Sequence, residues 1–270
     1  APEAAVSISA ALKGNAGITI GNVAGSNILN ILIILGLTAF LAKKIVPVAS
    51  STIKYEMPFM IVIMLILLWM GYEGNEISRL EGAGLWVVFL LYLFYLLKMA
   101  KKGAEGNSGD DEGDTSGKGM DKKEKSMAML LLFTVVGLVL IVIGSSVTVD
   151  AATAIARIIG LSERFIGLTI VALGTSLPEL FTSVSAARKG NADIAIGNIV
   201  GSNIFNILFV VGTSALITPV VFESKFIVDF IVAVAAGVLL WIFSFNGKSL
   251  NRAEGGLLLL GYFGYFIYLL

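Results

Sequence analysis

A chain of 270 residues that is 57% hydrophobic and 14% charged, with a mean hydropathy of +0.91, has a balance that water-soluble globular domains of this size do not show, so lipid is the expected solvent. Nineteen basic and nineteen acidic residues leave no net charge, which removes the electrostatic case for a nucleic-acid partner. Cysteine and histidine are both absent, which excludes disulfides, thiolate chemistry and histidine-ligated metals and takes away the usual general base; neither enzymatic activity nor a cofactor is expected.

In chain order, Ala1 to Leu12 carries one charge, Glu3, and is too short to cross a bilayer. Uncharged runs follow at Ala16 to Ala42, Met57 to Tyr72 and Gly82 to Leu97. A spanning helix needs ~20 residues, so the shorter runs must recruit flanking ones. Lys101 to Lys125 is glycine, lysine and acid with almost no apolar residue, and reads as a flexible linker. Its acidic run from Asp110 to Asp114 does not make an EF-hand, because Thr115 stands where glycine is needed and Asp121 where glutamate is needed. Further apolar runs are Ser126 to Val149, Phe165 to Ala187 with the single charge Glu179, Ile194 to Phe222, Phe230 to Gly247 and Gly255 to Leu270. The expected class is an all-α polytopic membrane protein, divided into a first half at 1–100, a linker at 101–125 and a second half at 126–270.

The two halves are copies. Ala1 to Gly36 aligns with Leu177 to Gly212 at a constant separation of 176, with 22 identities in 36 positions and no gap. Four spans separate the helix of Glu3 from that of Glu179, so these two helices run in opposite directions and the repeat is inverted. Placing the linker in the cytoplasm puts fourteen of the lysines and arginines inside and leaves Lys13, Arg79, Arg157, Arg164 and Lys225 outside, which fixes the orientation in a cell membrane.

A carboxylate at bilayer depth costs ~3 kcal/mol on insertion scales, and here one occurs at matching places in both copies. Pro178 has no N–H for the Gly174 carbonyl and its ring pushes on that turn, so the helix is expected to break around Gly174 to Ser176. Thr175 and Ser176 precede Glu179, and Ser183 lies one turn on; Pro2, Glu3 and Ser7 repeat the pattern. In the following helix Ser202, Asn203 and Asn206 make one polar face, repeated by Ser26, Asn27 and Asn30. The pairs Gly21 and Gly25, and Gly197 and Gly201, are small-xxx-small spacings that let another helix approach. The donor set is oxygen throughout, which suits calcium, and sodium of similar size can use the same ligands. Asp150, Asp193 and Asp229 sit at span ends and read as caps or solvated groups; Trp86 and Trp241 read as interfacial or lipid-facing aromatics.

Gly167-Leu-Thr-Ile-Val-Ala-Leu-Gly-Thr-Ser-Leu-Pro-Glu179, followed by Gly197-Asn-Ile-Val-Gly-Ser-Asn203, resembles the second α-repeat of the calcium/cation antiporter superfamily, near its prokaryotic sodium/calcium exchangers. Ala1-Pro-Glu3 and Gly21-Asn-Val-Ala-Gly-Ser-Asn27 resemble the first. The resemblance implies an inverted-repeat fold of ten helices, about nine of them in this chain, with ions held between the second and third helix of each half. The start inside the first signature implies that a Gly-Thr-Ser and a further helix precede Ala1. Carried onto matching positions, the ligands are Glu3, Ser26, Asn30, Glu179, Ser202, Asn206, Ser176 and the backbone carbonyls of Ala172 and Thr175. The implied function is calcium/sodium antiport by alternating access, with calcium/proton exchange as the alternative. Many sodium/calcium exchangers have aspartate where Asn206 stands, so the fixed charge here is −2; one calcium or two sodium ions balance it, while the resemblance implies three sodium ions.

Overall fold

The computed structural model describes residues 2–14, 16–42, 45–106, 165–188, 192–245 and 247–270, with scattered positions between 129 and 160. The linker beyond residue 106, and most of the run Ser126 to Val149, lie outside the described residues.

In lipid every backbone N–H and C=O must be satisfied within the protein, and helices do so by themselves. Among the described residues the chain forms α1 (Pro2–Leu12), α2 (Gly17–Leu41), α3 (Thr52–Gly74), α4 (Arg79–Gly106), α5 (Ile166–Thr175 and Leu177–Arg188), α6 (Ala192–Phe205, continuing to Ile217), α7 (Phe226–Phe245) and α8 (Arg252–Leu269). Five of these are long and apolar enough to span a membrane, six if the two parts of α5 count as one. The 16-residue runs do recruit neighbours: α3 and the apolar stretch of α4 (Arg79–Lys101) are each 23 residues long. Helix α4 runs on to Gly106, six residues into the stretch read as linker.

Helix α2 is the axis of the bundle and is buried along most of its length, whereas α4 is largely exposed and faces lipid. Phe89 of α4 packs against Phe205 and Phe209 of α6, and Trp86 joins them. The Trp86 indole N–H donates to Thr213 at 3.1 Å, and that of Trp241 to the Ile53 carbonyl at 2.9 Å. Both tryptophans, read as interfacial or lipid-facing, are half-buried near helix ends and also tie helices together.

Two short ladders clasp the halves to each other. Strand β1 (Val46–Pro47) pairs antiparallel with β4 (Ser249–Leu250), and β2 (Glu76–Ile77) pairs with β3 (Val220–Val221). The 18 helical residues Met57–Gly74 lie between β1 and β2, and at 1.5 Å per residue they hold the two ladders about 27 Å apart, on opposite faces. Each ladder joins one strand from each half, and exchanging the halves converts one ladder into the other. This is the geometry of an inverted repeat.

The copy extends past the first 36 residues, at a separation of 173. Asn75 and Lys248 both adopt left-handed backbone, with φ of 54° and 50°. Ser78 and Glu81 cap α4 reciprocally, as Asn251 and Glu254 cap α8. Arg79 donates to the Ile217 carbonyl at 3.2 Å and Arg252 to the Ala42 carbonyl at 3.2 Å, so each arginine covers the C-terminus of the other half's central helix. The signal was present in the sequence as Arg-x-Glu-Gly at 79–82 and 252–255.

Candidate functional site

Pro178 breaks α5 as expected. The two parts meet at 52°, and Ser176 at the break has φ −90° and ψ 3°. Ahead of the break, Ile166–Val171 is a π-turn, and α2 and α6 contain equivalent π-turns at Asn30–Leu35 and Asn206–Val211. Such turns cost regularity and cluster at functional sites; these two begin at the equivalent asparagines.

The bend carries the start of the second half of α5 toward α1. Ser176 Oγ donates to Glu3 Oε1 at 3.2 Å, and Glu3 is 2% exposed. Ser176 is three residues before Glu179, so this bond ties Glu3 to the helical turn of its counterpart in the opposite repeat. Beside them lies Thr175, whose hydroxyl is 3.4 Å from both Ser26 Oγ and Asn22 Oδ1. Asn22 in turn donates to Ser7 Oγ at 2.9 Å and to the Glu3 carbonyl at 3.2 Å. Asn22 was not singled out from the sequence; its position four residues before Ser26 on one helix face was the available signal.

On the other side of Ser26 the two central helices meet through their asparagines. Asn30 Nδ2 donates to Asn203 Oδ1 at 2.9 Å, and Asn206 Nδ2 donates to Asn27 Oδ1 at 3.2 Å. Exchanging the repeats maps one bond onto the other, since Asn27 matches Asn203 and Asn30 matches Asn206. Asn27 and Asn203, placed on the polar face but given no ligand role, therefore carry the joint between the halves. The asparagine oxygens and hydroxyls form one buried polar layer crossing the bundle.

Several atoms in this layer are not satisfied from within it. Asn30 Oδ1, Glu179 Oε2 and Ser183 Oγ are buried and have no hydrogen-bond partner among the described residues. In a native interior such atoms call for a partner, and an ordered water or an ion can supply it. The Ala172 carbonyl accepts from Ser176 N–H at 3.0 Å and Thr175 Oγ1 at 3.1 Å, so in this conformation it is engaged. Ser202 is half-buried, in contrast to its fully buried counterpart Ser26.

Among the described residues, the close helix approach occurs at Gly25. A Cβ on Gly25 would lie 2.8 Å from the Leu168 carbonyl oxygen and 2.8 Å from Ala172 Cβ, so α2 and α5 touch backbone to backbone. Gly197 and Gly201 meet no described atom within 4 Å. Asp229 is a further correction: it is fully buried and accepts from the Tyr265 hydroxyl at 2.9 Å, so it is no solvated span end. Asp150 is exposed, and the Asp193 side chain lies outside the described residues.

Known proteins agree with this architecture. The family model described as sodium/calcium exchanger protein matches residues 1–98 and 129–270. The putative antiporter CaxA of Alkalimonas amylolytica is 40% identical, over 98% of this chain and 82% of its own. The sodium/calcium exchanger MaX1 of Methanosarcina acetivorans is 33% identical, over 99% and 84%. The solved sodium-calcium exchanger NCX_Mj superimposes with a TM-score of 0.75 at 28% identity, covering 98% of this chain and 81% of that one. The chain is thus a membrane protein that belongs to the sodium/calcium exchanger family of antiporters.

Proposed function

We propose that the chain moves calcium out of the cell in exchange for sodium, by alternating access to the buried polar layer. The observation that carries this reading is the pairing of Glu3 with Glu179. Two carboxylates from equivalent places in inverted repeats converge beside hydroxyl and amide oxygens, with no lysine or arginine in their own helical turns. A hard dication suits such a site. The ligands proposed are Glu3, Ser26, Asn30, Ser176, Glu179, Ser202 and Asn206 with the carbonyls of Ala172 and Thr175. Binding at Ala172 requires its present hydrogen bonds to loosen, which the break at Ser176 allows.

Access to either side follows from the inverted symmetry: a packing that opens one face has a counterpart, related by a pseudo-two-fold axis in the membrane plane, that opens the other. The excess of lysine and arginine supports a cytoplasmic side for the 101–125 stretch in a cell membrane. The name of MaX1, a sodium/calcium exchanger, supports the ion pair.

The test is calcium-45 uptake into proteoliposomes under an imposed sodium gradient. Sodium-driven accumulation against a calcium gradient is expected. Accumulation driven by a pH gradient without sodium would assign the proton as coupling ion instead.

A further inference from the structure

A second pair of carboxylates, unused by the polar layer, is duplicated by the repeat. Glu56 in the opening π-turn of α3 and Asp229 in the first turn of α7 are 173 residues apart, as are Tyr92 of α4 and Tyr265 of α8. In the second repeat the arrangement is closed, because Asp229 is fully buried and held by the Tyr265 hydroxyl. In the first repeat it is open. Glu56 and Tyr92 line a groove of about 450 Å³ between α3 and α4, and no hydrogen bond joins them. Among the described residues the Glu56 carboxylate receives only the Thr52 hydroxyl, at 3.1 Å, although Glu56 is just 7% exposed.

The surroundings of Glu56 define what it would hold. Phe59 stacks on Tyr92 at 5.4 Å and Tyr92 on Tyr95 at 6.3 Å, so an aromatic wall leads from the carboxylate toward the lipid side. Lys54 is at the rim and exposed. Glu56 lies four residues, about 6 Å, inside the end of α3, close to one membrane interface. The volume is within the range of about 300–1,000 Å³ typical of small-ligand sites.

We propose that this groove binds the headgroup of an aminophospholipid. Its primary ammonium has three N–H groups to give and donates to the Glu56 carboxylate, beside the edge of the Phe59–Tyr92 stack. The phosphate meets Lys54, and the acyl chains stay in the bilayer along α4. A choline headgroup has no N–H for Glu56, and an anionic glycerol headgroup brings no cation to it.

The experiment is native mass spectrometry of the whole protein in detergent, equilibrated with equal amounts of phosphatidylethanolamine, phosphatidylcholine and phosphatidylglycerol of identical acyl chains. The ethanolamine lipid should be retained about tenfold over the others, which is 1.4 kcal/mol. Glu56→Gln should erase that preference. Lys54→Gln, at an exposed position that does not threaten folding, should weaken retention of the ethanolamine lipid several-fold. Equal retention of the three lipids, an unchanged preference in Glu56→Gln, or full displacement by soluble phosphoethanolamine would overturn the proposal.

Discussion

Replacing Gly25 by alanine tests the helix contact on which the polar layer rests. The added methyl would stand 2.8 Å from Ala172 Cβ, 2.8 Å from the Leu168 carbonyl oxygen and 2.9 Å from Leu168 Cα. Carbon atoms normally pack at about 3.5–4.0 Å, so α2 and α5 must part by on the order of 1 Å. Two of the three neighbours are backbone atoms and cannot rotate away. Overpacking of this kind costs roughly 1–3 kcal/mol. At about 2–4 °C per kcal/mol, Gly25→Ala should lower the melting temperature by about 2–12 °C. Gly84, on the exposed face of α4, is the control: no described atom lies within 4 Å of the added carbon, and alanine there gains up to ~1 kcal/mol of helix propensity. Gly84→Ala should therefore melt at or above the parent temperature. Tryptophan fluorescence in one detergent follows both. Equal shifts in the two variants, or a parent-like melt for Gly25→Ala, would refute the reasoning. The neighbouring Ser26 to Thr175 contact, already 3.4 Å long, would open as well, so calcium flux should fall by more than the stability loss alone explains.

Glu179→Gln should leave a folded, membrane-inserted protein that moves no calcium; retained calcium-45 exchange would remove Glu179 from the ion path. Asn203→Ala deprives Asn30 Nδ2 of its acceptor and should cost about 1–3 kcal/mol in thermal melts; a parent-like melt would show that the bond between the halves carries no stability. With three sodium ions per calcium, one positive charge moves per cycle, so exchange in proteoliposomes should respond to an imposed potential. Voltage-independent exchange would reduce the count to two, the number that balances Glu3 and Glu179.

The parts of the fold visible in the sequence are those set by local chemistry. Pro178 lacks an N–H, and the chain bends where that loss falls. The matched glutamates and asparagines were legible because duplication separates signal from coincidence. The hidden parts depend on what lies opposite. Nothing along the chain marks Gly25 as the point where α2 meets α5 backbone to backbone. Asp229 sits in a first helical turn, as a capping residue would, and only the tyrosine 36 residues later shows why it is buried. The π-turns are invisible as well, because shifting a helical hydrogen bond by one residue leaves the apolar pattern almost unchanged.

The two ladders have a consequence for how such a molecule could arise and assemble. Strand β1 has its partner β4 in the other half, and β2 has β3, so neither half completes an edge by itself. The arginines repeat the arrangement, each covering the helix end of its neighbour. The halves are thus held by reciprocal, non-covalent closure at both membrane faces, as the two subunits of an antiparallel homodimer would be. A gene encoding one half, inserted in both orientations, would already possess every one of these joints. Covalent continuity between the halves then serves to fix their ratio and their orientations, and the joints themselves supply the cohesion.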